Sequence, residues 1–132
     1  MDLEVKIFIQ NDKSYSLSFV KSKEWRRFGG FTDVEWDQSI RFKEGSNGFI
    51  FSLDNNEIYY NKDSDFNIYC SSNCGPTFGR GYDFLISDNC NKNNKSYDNS
   101  GCSYDTKGKK YALAGTKYFY VEDYEVYKIE LE

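Results

Sequence analysis

The chain contains no histidine, one proline (Pro76) and one methionine (Met1). Without histidine the Ser-His-Asp and Cys-His arrangements for nucleophilic catalysis are unavailable, and the commonest metal-binding side chain is missing. Long apolar runs are missing too: none approaches the ~20 residues that a membrane-spanning helix needs. Positive charge is in deficit, with 17 Lys and Arg against 21 Asp and Glu for a net charge of −4. A nucleic-acid binder usually presents a broad basic face. Here the basic clusters Lys21–Arg27 and Lys107–Lys110 are short and read as solvated turns. The start, Met1-Asp2-Leu3-Glu4, lacks the basic region of a secretory leader, so the expectation is a soluble, cytoplasmic protein with no transmembrane segment.

Aromatic residues are abundant: 12 Tyr, 11 Phe and 2 Trp in 132 residues. Such rings fill a compact interior with few side chains, each contributing roughly 1.5–3 kcal/mol when buried. The length fits one domain over 1–132. Helical periodicity is weak and period-two alternation recurs. Val5, Ile7 and Ile9 share a face, as do Tyr15, Leu17 and Phe19 against Ser14, Ser16 and Ser18. Further runs are GFIFSL (48–53), FNIYC (66–70), YDFLIS (82–87), KYFYV (117–121) and YEVYKIEL (124–131). Clusters of Asn, Asp, Gly and Ser punctuate them. Seven or eight short strands of this kind predict a mostly β chain, an antiparallel sandwich. Residues 88–110 are almost wholly polar and read as one long loop, a candidate partner-contacting surface.

The segment GPTFGRGYDFLISD (75–88) raises the question of a phosphate cradle. Gly75, Gly79 and Gly81 form GxxxGxG, with no Lys-Ser/Thr to follow and a strand rather than a helix next. Neither phosphate-binding glycine pattern is met, and no helix N-terminus is there to hold an anion. Pro76 suits the second position of a tight turn, and glycines permit positive φ or close packing. The loop is expected to pack on its own domain.

Other candidate chemistry is sparse. Asn61-x-Asp63-x-Asp65 begins like a calcium loop but lacks the required Gly and the closing Glu. Asp83 and Glu125 lie within apolar alternation, so they should accept backbone N–H groups or meet a cation, unless they sit in water at strand ends. Cys70, Cys74, Cys90 and Cys102 read as free thiols in a reducing compartment, since CxxxC plus two isolated cysteines fits neither zinc nor an evident disulfide frame. Cys90 and Cys102 bracket a segment holding Lys92 and Lys95, and cationic neighbours favour a reactive thiolate. These two are the candidate redox thiols.

Taken in order, Phe28-Gly29-Gly30-Phe31, Trp36, Gly48–Leu53, Gly75–Asp83, Ile86-Ser87-Asp88, Gly101–Tyr104, Leu113-Ala114-Gly115, Phe119-Tyr120-Val121 and Glu125-Val126-Tyr127 resemble the TLDc domain family, which includes the oxidation-resistance proteins. The resemblance covers residues 28–130; residues 1–27 look shortened or atypical. It implies a two-sheet antiparallel β-sandwich with a few short helices, no catalytic residues, no cofactor and no metal. It also implies a role in oxidative-stress resistance and a protein partner such as V-ATPase subunits, placing the protein at the surface of acidic organelles. Gly29, Gly30, Trp36, Gly75, Pro76, Phe78, Gly79, Gly81, Asp83, Gly115 and Glu125 match family motif positions and are expected to be structural. Two rivals are a glycan-binding β-sandwich and an antioxidant enzyme built on Cys90 or Cys102.

Overall fold

The computed structural model describes residues 14–45 and 47–129. The alternating run Val5–Ile9 lies outside them. Eleven strands form among the described residues, more than the seven or eight expected, and no helix does. In chain order the first five are β1 (Tyr15–Ser22), β2 (Arg27–Thr32), β3 (Arg41–Lys43), β4 (Gly48–Ser52) and β5 (Glu57–Tyr60). There follow β6 (Ile68–Cys70), β7 (Cys74–Phe78), β8 (Phe84–Ser87), β9 (Ser96–Asp98), β10 (Tyr118–Phe119) and β11 (Val121–Ile129). The strands make two sheets, with orders β11-β1-β2-β4-β5 and β10-β9-β8-β7-β6-β3. Every ladder is antiparallel.

The first sheet is apolar on both faces. Its inner face gives Val20, Phe28 and Ile50 to the core, where they meet Ile68, Phe78 and Phe84 of the second sheet. On its outer face Tyr15, Phe31, Phe49 and Phe51 form a second cluster, with Phe31 stacked on Phe49 at 5.1 Å between centroids. This arrangement explains the alternation in β1. Tyr15 and Leu17 serve the outer cluster, while the small Ser16, Ser18 and Ser22 turn inward and are buried.

Two glycines at the middle of β2 admit close approaches, Gly29 on the outer face of its sheet and Gly30 between the layers. A Cβ on Gly29 would stand 2.7 Å from the Phe51 ring and 1.9 Å from the Ser18 carbonyl oxygen. A Cβ on Gly30 would stand 2.6–2.9 Å from three carbons of Phe78, a residue of the opposite sheet. Glycine in a strand interior weakens the strand alone but admits a close approach. Here each bare backbone site is covered by an aromatic ring, one from each side.

Candidate functional site

The glycine-rich stretch folds as the β7–β8 hairpin, with Phe78 opposite Phe84. Pro76 does not occupy the turn, contrary to expectation. It is buried inside β7, where the register shifts between Cys74 and Thr77. A proline cannot donate to a ladder, so within a sheet it settles at such irregularities. The turn proper is Gly79–Asp83, with Gly79 at φ +85° and Tyr82 at φ +57°.

What this turn approaches is the domain's own anion. The Asp83 side chain is fully buried and crosses to residues 101–104. Its Oδ2 accepts backbone N–H bonds from Gly101 (3.2 Å), Cys102 (3.1 Å), Ser103 (3.1 Å) and Tyr104 (3.0 Å), and Oδ1 accepts a further one from Ser103 at 3.0 Å. Successive backbone donors of this kind make an anion cradle. A Cβ at Gly79 would fall 1.9 Å from Asp83 Oδ1, so glycine is needed there for space as well as for φ. Burial pushes the Asp83 carboxyl up to about 6, while the N–H donors act in the opposite direction.

A second carboxylate repeats the device. Asp98 Oδ1 accepts the Ser100 N–H (3.0 Å), and Oδ2 accepts those of Leu113 (3.1 Å) and Ala114 (2.8 Å). Burial raises its pKa too. Asn67, also fully buried, joins the two layers. Its Oδ1 accepts from the Thr32 hydroxyl at 2.7 Å, its Nδ2 donates to the Gly45 carbonyl at 2.9 Å, and its own carbonyl accepts from Tyr104 Oη at 2.8 Å. Sequence reasoning passed over Asn67 and Asp98. A lone amide inside FNIYC was the available signal for the first; the second was hidden in the polar run.

Residues 88–110 are therefore not one exposed loop. They hold β9, and Ser96, Asp98, Ser100, Ser103, Tyr104 and Thr106 are buried. The polar side chains here bond to backbone groups, the serines and Asp98 as acceptors and Thr106 and Tyr104 as donors, so polarity does not mean exposure. The exposed part of the segment flanks an open cleft of about 550 Å³, lined by Lys62, Asn99, Cys102, Lys109, Lys110 and Tyr111 among others. The apparent calcium phrase is a local turn, in which Asn61 Oδ1 accepts the Asp63 N–H at 3.1 Å.

Other expected framework positions lie in the packing. Trp36 is half-buried, donates from Nε1 to Ser16 Oγ at 2.9 Å, and meets Phe78 edge-on at 5.5 Å. A Cβ on Gly75 would touch Ile86 and the Tyr124 hydroxyl at 3.3 Å, and one on Gly81 would press on Cys102 Sγ at 2.8 Å. Gly115 has φ +80° under the Arg26 guanidinium. Glu125 is the exception. It is exposed on β11 opposite Phe19, bonded to the Tyr127 hydroxyl, and no backbone N–H or ion pair reaches it among the described residues. The odd-numbered face of β11 looks out over the outer cluster and not into the core, which is why that carboxylate needs no buried partner.

The two candidate thiols separate. Cys90 packs against the core, and burial raises its pKa, with Asp123 and Asp88 adding to the shift. Lys92 and Lys95, the cations expected to favour its thiolate, are both exposed. Cys102 is exposed at the cleft. All four cysteines are free thiols.

No curated protein matches the chain. A family model described as the TLDc domain matches residues 6–130, beginning well before the first quoted motif at Phe28, so β1 and the start of β2 fall inside the match. The sandwich, the glycine hairpin and the match over nearly the whole length agree: the chain belongs to the TLDc domain family.

Proposed function

We propose that the domain is a non-catalytic protein-interaction module of the oxidation-resistance type. It acts in the cytoplasm at the surface of acidic organelles, by engaging V-ATPase subunits and altering their assembly. The observation that carries this reading is the family match over residues 6–130. The internal use of the polar groups supports it. The buried Asp83 and Asp98 carboxylates are committed to backbone donors within the fold. The exposed part of 88–110 offers Lys92, Lys95 and Lys107 as partner-facing side chains.

The test adds purified domain to isolated vacuolar membranes. ATP-driven acidification and the amount of catalytic sector left on the pelleted membranes are then measured. A dose-dependent change in both supports the reading. Unchanged acidification and assembly, with no pump subunit captured on immobilised domain, refutes it.

A further inference from the structure

In the sequence Lys107, Lys109 and Lys110 form one short basic cluster, and the fold brings Lys62, from the connection between β5 and β6, to the same cleft. The Lys62 N–H donates to the Ser103 carbonyl at 2.8 Å and the Asp105 N–H to the Tyr60 carbonyl at 2.9 Å, which fixes that side. Thr106 Oγ1 donates to the Lys109 carbonyl at 2.7 Å and closes the turn that carries the cluster. These segments and residues 99–102 border the open cleft of about 550 Å³. Four charged side chains line it: Lys62, Asp105, Lys109 and Lys110. Glu57 matches Lys109, and Asp105 Oδ1 accepts the Lys107 N–H at 2.9 Å. Lys62 and Lys110 are exposed, and neither ammonium has an ion pair or hydrogen bond among the described residues. A cleft with an excess of one sign focuses that charge on whatever enters it.

We propose that this cleft binds a short acidic segment of a protein partner, whose Asp or Glu side chains meet Lys62 and Lys110. The inference rests on the reading of the domain as an interaction module and names the chemistry of what it engages. The donors favour carboxylates over phosphate. A phosphate site gathers convergent backbone N–H groups or a bidentate arginine. No arginine lines this cleft, and the N–H groups of residues 101–104 are already filled by Asp83. Two ammonium groups on separate segments are point charges, suited to carboxylates spaced along a chain. Nucleic acid needs a broader basic face, and here Asp105, Glu57 and the net charge of −4 oppose it. Tyr111, 37% exposed at the same cleft, offers apolar contact beside the lysines.

Fluorescence anisotropy of a fluorescein-labelled hexaglutamate peptide, titrated with the full chain, tests the proposal. Binding saturates, weakens with added salt and moves the amide NMR signals of residues 99–111, while hexaglutamine does not bind. Lys62→Gln combined with Lys110→Gln raises Kd by roughly two- to thirtyfold, one exposed ion pair being lost at each lysine. Arg41→Gln combined with Lys128→Gln makes the same change of net charge at exposed positions outside the cleft and leaves Kd unchanged. Both double variants keep the circular dichroism of the wild type. Absence of saturable binding overturns the proposal, as does equal weakening by the two double variants, or displacement of the peptide by an equimolar amount of inorganic phosphate. The membrane assay separates this inference from the pump reading. Peptide binding at the cleft with no effect of the wild type on the pump refutes the pump reading alone. A Lys62/Lys110 double variant that acts on the pump like the wild type refutes the cleft as the contact.

Discussion

Alanine at position 30 would place a methyl group where the Phe78 ring already lies. Its Cβ would be 2.6 Å from one ring carbon and 2.8 and 2.9 Å from two others. Carbon atoms pack comfortably at about 3.5–4.0 Å, so ring or strand must give way by about 1 Å. The ring has little freedom to do so. It stacks on Phe84 at 4.8 Å and meets Trp36 at 5.5 Å and Tyr104 at 6.0 Å. Overpacking of this kind costs about 1–3 kcal/mol. Replacing glycine otherwise favours folding by about 0.4–1 kcal/mol through the unfolded chain, leaving a net loss centred on about 1 kcal/mol. Phe78→Leu alone leaves a gap and costs about 1–3 kcal/mol, but it vacates the space that the methyl group needs. The double variant should therefore lose less than the sum of the singles, with a coupling of about 1 kcal/mol. Urea unfolding followed by tryptophan fluorescence, with Trp36 beside Phe78, measures all four corners of the cycle. A Gly30→Ala variant as stable as the wild type, or strictly additive losses, would refute the packing argument.

Burial of Asp83 gives a pH prediction. A carboxyl raised from 3.8 to about 6 in the folded state holds its proton more tightly there than in the unfolded chain. Its contribution to stability is therefore greatest below the unfolded value and falls as pH rises towards 6, then stays level. The stability gap between wild type and Asp83→Asn should change by on the order of 3 kcal/mol between acid and neutral pH, in that direction; a constant gap contradicts it. For the thiols, a fast phase of labelling should belong to Cys102 and disappear in Cys102→Ser, while buried Cys70 reacts on unfolding. Equal rates for the two, by peptide mass mapping, would count against the assigned environments.

The strands were legible from period-two alternation because a half-buried pleat sorts its side chains that way. Which face was interior was less legible. In β1 the serines are inside and Phe19 is half exposed, an assignment that an apolar outer cluster reverses and that no local pattern reveals. The hairpin glycines signal a close approach, but the partner is invisible in the sequence, since Asp83 meets donors about twenty residues away. Polarity misled at 88–110. Serine and aspartate there accept from backbone N–H groups, and the Thr106 hydroxyl donates to the Lys109 carbonyl, so each is paired while buried. Glu125 takes the exposed alternative, because alternation alone does not tell that its face of β11 looks outwards.

Amide hydrogen exchange at Gly101–Tyr104 addresses the cradle most directly. If the Asp83 carboxylate is the anion these groups hold, the four N–H groups exchange as slowly as those of Phe84–Ile86 in the neighbouring strand, and Asp83→Ala releases them while the outer cluster around Phe49 stays protected. Exchange at the rate of an unstructured peptide in the wild type would contradict it.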